Sequence, residues 1–348
     1  MMFSHNNDDH NNGCDYRRIH ATAAPESMTM DRLEELDELV VAQTTQMCYR
    51  KGCCTPSINW VLLDASNYEV PDTFGTTINN NNSSSNNPFE LPSVGGWIHE
   101  ESTFFQRCLC HLPGCRETRF VHHAGLPPAS LGAEDFHCCR IQTTPHSSFL
   151  TPHEVSSNIV AVHEKANTCP TNCCCCDGGG GDVPEGGRCL PYLRTTDGTG
   201  RYLGETRYVC DGCVFVPKFL VLDRHRTPRY LLRPDTCWGG VCVRPRCGGQ
   251  QGKCCRLPFL VRDPLTKEPI AAGGRTADGE TNAQVTQLWS GLANEVCFRR
   301  HAYHVAFPNS SGSSSSSSSS SCEASDKLVL IGSAILLDVA LFEKNDDK

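Results

Sequence analysis

The apolar positions of this chain fall into three patterns, and the most pronounced comes last. Leu328 to Phe342 reads LVLIGSAILLDVALF, an apolar run broken once by Asp338. At 1.5 Å rise per residue the segment spans roughly 22 Å as a helix. A hydrocarbon core of about 30 Å asks for about 20 apolar residues, and shorter runs are more often buried core helices. Its apolar residues cover every face, with no polar stripe left for water. The pattern predicts a helix that needs an apolar jacket on all sides.

The second pattern lies near the start. Met28 to Met47 carries Leu33, Leu36, Leu39 and Val40 at helical spacing, with Asp31, Glu34, Glu35 and Glu38 among them, which predicts one amphipathic helix. The third pattern fills the region between. Short strand signals recur at Trp60 to Leu63, Tyr68 to Val70, Phe104 to Phe105, Arg119 to His122, Tyr208 to Val216, Phe219 to Leu222, Tyr230 to Leu232 and Phe259 to Val261. Glycine, proline or aspartate turns separate many of them. Pro217 to Asp223 and Pro258 to Asp263 share a proline and then Phe-Leu-Val-x-Asp, each predicting a strand that ends in an Asp turn. Many antiparallel strands followed by one all-apolar helix predict a mainly β protein whose sheet closes around that helix. Closure removes the sheet edges and supplies the jacket.

Composition limits how much of the chain builds that core. The apolar fraction is 39% of 348 residues, low for the length. Asn79 to Asn87, Gly178 to Gly181 and Ser313 to Ser321 are low-complexity runs that cannot bury a core. We expect a disordered tail over 1–27 and a single domain over 28–348, with insertions at 76–90, 177–187 and 309–325. The formal net charge of −8 is spread along the chain without a basic stripe, which disfavours nucleic acid as a partner. The first residues lack the apolar core of a secretory signal, and Met2 stands where myristoylation requires glycine. These features predict cytosolic topology. The 24 cysteines are then mostly thiols, with three uses open: metal ligands, lipid attachment, or small buried side chains.

Joined in order, several segments resemble the phospholipid scramblase family. Its C-terminal signature is similar to Leu288-Trp289-Ser290-Gly291-Leu292, Phe307-Pro308, Leu330-Ile331-Gly332, Leu336-Leu337-Asp338 and Leu341-Phe342-Glu343. Upstream, Asn67-Tyr68-Glu69-Val70 with Gly75, then Glu101-Ser102 through Phe105 and Arg107, resemble the family's early strand pairs. Gly204, the segment Cys213 to Asp223, and Cys237, Cys242 and Cys247 resemble its second half. The resemblance spans 33–343 in the family's order. It implies a tubby-like closed antiparallel β-barrel of about twelve strands around the C-terminal helix. It also implies ATP-independent exchange of phospholipids between leaflets. The alternative is a scaffold that binds lipid headgroups or proteins and moves no lipid. The implied location is the cytosolic face of a membrane, the plasma membrane above all, reached through lipid anchors, with phospholipid membrane and protein partners and no nucleic acid.

The same resemblance suggests roles for particular residues. Cys173, Cys174, Cys175 and Cys176 are similar in kind and position to a cluster that is S-palmitoylated in family members. Stable anchoring takes two or more acyl chains, so adjacent cysteines suit that use. A metal site or an unmodified thiol-rich loop are the other readings. Cys210-x2-Cys213 with Cys242-x4-Cys247 has the ligand types of a zinc site, although small buried side chains at strand ends account for them more simply. The family's Ca2+ is expected to bind poorly, because Arg299 and His301 stand where its loop carries acids and a hard cation wants about six to eight oxygens. Asp338, an acid within an apolar helix, is expected to be buried and either hydrogen-bonded to backbone or paired with an arginine. His122-His123 reads as a solvated turn. No hydrolase constellation, phosphate-cradling loop or supported carboxylate pair occurs, so the expectation is a protein that is not an enzyme.

Overall fold

The structure is a computed structural model that describes residues 27–43, 58–66, 68, 91–101, 117–126, 158–166, 190–209, 216–237, 242–243, 257–274, 276, 280–288, 301–309 and 322–342. The segment read as one long amphipathic helix is instead a short helix followed by a strand. Helix α1 covers Met30–Glu35 with Thr29 as its N-cap, and Leu36 takes extended backbone at its end. Strand β1 follows at Glu38–Gln43. Leu39 and Val41 join one buried cluster, Val40 and Ala42 another. A strand buried on both faces reads as a continuous apolar run, and its overlap with Leu33 and Leu36 imitated a helical period.

The remaining strands are β2 (Asn59–Leu63), β3 (Ser93–Glu101), β4 (Thr118–Ala124), β5 (Ile159–Lys165), β6 (Tyr192–Asp197), β7 (Tyr202–Val209), β8 (Lys218–Leu222), β9 (Pro228–Pro234), β10 (Thr236–Cys237), β11 (Cys242–Val243), β12 (Leu257–Arg262), β13 (Gln284–Leu288) and β14 (Ala302–Ala306). Twelve of them close a barrel in the order β1-β14-β13-β12-β9-β8-β7-β6-β5-β4-β3-β2. Every pairing is antiparallel, so the connections alternate between two ends. The strands β10 and β11 form a separate ribbon with Cys237 opposite Cys242. Both copies of the Phe-Leu-Val-x-Asp pattern end in the expected turn. Asp223 Oδ1 accepts from the His225 and Thr227 amides, and Asp263 Oδ1 from those of Leu265 and Thr266.

His122 and His123 are not a turn. Both lie in β4, His122 0% and His123 2% exposed, and alternation turns them to opposite faces of the sheet.

The C-terminal run forms helix α2 (Ala324–Leu337), which passes into a π-helical turn over Asp338–Phe342. Its residues 327–337 are all buried. Leu328 to Leu337 share one apolar cluster with Leu39, Trp60, Phe120, Leu193, Phe219, Leu232, Phe259 and Val305 of the barrel strands. An eight-stranded barrel is filled by its own side chains, whereas twelve strands leave room for more. Two glycines let the helix approach. A Cβ on Gly332 would lie 2.8 Å from His163 Nδ1 and 3.0 Å from Leu193 Cδ2. One on Gly204 would collide with the Leu222 carbonyl and lie 2.9 Å from Val329 Cγ2.

Candidate functional site

The described polar groups that meet the apolar helix gather at its two ends and at one level between. At the C-terminal end, Asp338 is the C-cap of α2, and its amide donates to the carbonyls of Ala334 and Ile335. The carboxyl group is buried, with 3% of the residue exposed. Its Oδ1 lies 2.6 Å from His301 Nδ1 and accepts from the Tyr303 hydroxyl at 2.9 Å. The expected acid is therefore buried, but its partners are a histidine and a tyrosine rather than backbone or an arginine. His301 is fixed in turn, since its amide donates to Gln43 Oε1 at 3.2 Å while Gln43 N donates to the His301 carbonyl at 2.8 Å. Gln43 Nε2 is fully buried and has no hydrogen-bond partner among the described residues.

Between the ends, His163 and His122 face the helix. His163 Nδ1 lies 3.0 Å from Thr195 Oγ1, and the two imidazole rings stack with centroids 6.4 Å apart. Among the described residues neither nitrogen of His122, nor Nε2 of His163, has a hydrogen-bond partner. Burial holds the His163 imidazole down to about 3. It lowers His122 well below the ordinary range too, helped by the neighbouring histidines. Both rings are thus neutral at pH 7. One step along, Thr206 Oγ1 and Ser333 Oγ are 2.7 Å apart and join β7 to α2.

At the N-terminal end, Asp326 Oδ2 accepts from Tyr230 Oη at 3.3 Å and Arg229 Nε at 3.4 Å. Lys327 Nζ donates to the Glu34 and Leu36 carbonyls at 2.8 and 2.7 Å. It thereby serves the open C-terminal carbonyls of α1. Cys322 lies in the same corner, and burial pushes its thiol up to about 12, a value that marks an inert side chain.

The structure brings together two residues that the sequence singled out for unrelated reasons, His301 and Asp338. Cys173, Cys174, Cys175, Cys176 and Arg299 lie outside the described residues. Among the described residues no group of three or more His, Cys, Asp or Glu is placed to hold an ion. No described helix is long and apolar enough to cross a membrane, which concerns helices and not strands. Sequence reading places His122 at the end of a strand signal over Arg119 to His122, yet it reads the His122-His123 pair as a solvated turn and so misses the inward face of His122. The signal available was their position within a run that also holds Phe120 and Val121.

Comparison of the chain with protein-family models, with curated proteins and with solved structures gave no match in any of the three.

Proposed function

We propose that this protein acts at the cytosolic face of a membrane as a phospholipid scramblase with a tubby-like barrel, exchanging phospholipids between leaflets without ATP. The observation that carries the reading is the closed twelve-strand antiparallel barrel sharing one core with an all-apolar C-terminal helix, in a chain whose motifs run in the scramblase order. Attachment is proposed through acylated Cys173 to Cys176. These cysteines belong to the β5–β6 connection, which leaves and rejoins the barrel at the end that holds Asp338. Several adjacent thioesters strengthen the attachment, since each buried methylene adds about 0.8 kcal/mol to membrane affinity.

The test is reconstitution into liposomes carrying a fluorescent phospholipid, with dithionite added outside. Loss of fluorescence beyond the outer-leaflet fraction is expected, and loss that stalls there overturns the transport reading. Hydroxylamine should release the protein from cell membranes, and a protein that stays soluble with Cys173 to Cys176 intact overturns the anchor.

One observation favours a second reading. The helix is buried and shares the core of the strands, so the described residues offer lipid no polar path across a bilayer. A barrel that binds headgroups or proteins at the membrane without moving lipid fits this directly. Vesicle sedimentation with binding but without dithionite-accessible exchange is its signature.

A further inference from the structure

The outer face of β3 and β4 carries a ring cluster that the membrane reading does not use. Trp97, His99 and Glu101 alternate along β3 beside Arg119, Val121 and His123 of β4. Trp97 stacks on His123 with centroids 4.4 Å apart at 16°, and His99 stacks on the same ring at 5.0 Å. His99 Nδ1 and His123 Nε2 face each other at 3.1 Å. On the far side of the His99 ring, Nε2 lies 3.5 Å from Glu101 Oε1. Glu101 is itself set by Arg119, whose Nη1 donates to Oε2 and leaves Oε1 to the imidazole.

A carboxylate accepts only, so the Glu101 contact favours the His99 tautomer with its proton on Nε2 and a lone pair on Nδ1. That lone pair points at His123 Nε2. Without a metal, His123 donates its Nε2 proton into the gap. With the proton on Nδ1 instead, both facing nitrogens carry lone pairs. Two imidazole nitrogens at about 2.0–2.1 Å from one ion and roughly at right angles to it lie about 3 Å from each other, so turning both rings until their lone pairs meet to one side of the N–N line makes the 3.1 Å gap a metal bite.

We propose that His99 Nδ1 and His123 Nε2 form a binding site for a late first-row divalent cation, with Glu101 as the outer carboxylate that orients His99 and water completing the shell. Imidazole nitrogen suits Zn2+, Ni2+ and Cu2+ rather than Ca2+, and a carboxylate on the remote N–H is the usual support of a ligating histidine. Burial and the adjacent His99 hold the His123 imidazole down to about 4, so it is uncharged at neutral pH and available as a ligand. Access comes from the His99 side, where 19% of that side chain and 39% of Glu101 are exposed. Binding needs no net proton release, because the His123 proton passes from Nε2 to Nδ1. Arg119 is the opposing charge nearby, and Glu101 and Glu164 both lie against it.

The probe is Ni2+, titrated into the full chain after its accessible thiols are blocked with N-ethylmaleimide, with bound metal counted and tryptophan fluorescence recorded. One equivalent is expected, with quenching of Trp97 through the stacked His123 ring. His99→Gln should lose both signals. Glu101→Gln should weaken binding by about 10- to 100-fold without abolishing it. His123→Gln serves as a second ligand variant, its fold checked by circular dichroism. A blocked wild-type protein that binds no Ni2+, or a folded His99→Gln that binds and quenches like wild type, overturns the site.

Discussion

Asp338 closes an apolar helix with a carboxylate that two neighbours compensate, and the bonds fall on one oxygen, leaving His301 and Tyr303 tied to the same point. Asp338→Ala removes both hydrogen bonds from a buried site, and a loss of about 1–3 kcal/mol is expected. Asp338→Asn keeps an acceptor oxygen and should lose less. Urea unfolding of both variants measures the difference, and equal losses would show that the bonds are not what the acid supplies. His122 and His163 carry the opposite risk, since neither takes a proton readily in the folded chain. In the unfolded chain a histidine protonates below about 6.5. The folded values are depressed, so between pH 6.5 and the folded values the unfolded state binds more protons. Stability is then fully present above pH 6.5 and falls as pH drops, by about 1.4 kcal/mol per pH unit for each histidine. Urea midpoints at pH 7.5 and 5.5 should show the fall, and His163→Asn should reduce its slope by the share of one group. An unchanged slope in that variant would mean that another residue sets the acid limit.

At the level of elements, the meeting of α2 with β5, β6 and β7 depends on a missing side chain. Gly332→Ala places a methyl carbon against His163, Leu193 and Thr195 at 2.8 to 3.1 Å. Overpacking of this kind costs about 1–3 kcal/mol, even though alanine is the better helix former by about 1 kcal/mol. The expected net effect is a lowered melting temperature, and a gain would show that the helix shifts freely along the barrel. The likeness between sequence and fold is uneven at this scale for the same physical reason. The apolar run at Leu328 to Leu337 has a single interpretation because it is apolar on every side. The strands Trp60 to Leu63 and Phe259 to Val261 were legible from their β-branched and aromatic runs. By contrast, Leu39-Val40-Val41-Ala42 has both faces covered and loses the alternation that marks a strand. β3 carries Gly95 and Gly96, which weaken a strand signal, and Gly96 is there because a side chain would press on His122 and Leu62. β6 and β13 are rich in threonine and glutamine and gave no apolar run at all. The His301–Asp338 contact joins residues 37 positions apart, and nothing local to either one announces the other.

For the whole molecule the decisive question is whether the helix and barrel separate. Lipid exchange through the barrel, under the proposed function, requires α2 to withdraw from strands whose inward residues Leu193, Phe219 and Val305 share its cluster. Withdrawal would also expose Ser333, Thr206, His163 and the Asp338 carboxylate, the groups a lipid headgroup could use. Thr206 Oγ1 and Ser333 Oγ are 2.7 Å apart, a separation close enough for cysteines there to form a bridge with S–S of about 2.05 Å. The double variant Thr206→Cys, Ser333→Cys then offers a reversible lock, verified by mass spectrometry of the linked peptides. If helix withdrawal is the route, oxidation stops dithionite-accessible exchange, reduction restores it, and each single variant behaves the same in both states. Exchange that continues with the bridge intact excludes withdrawal and moves the lipid path to the outside of the barrel. A protein that binds vesicles equally well in both states and exchanges lipid in neither is the binding module of the second reading, with the helix a permanent part of its core.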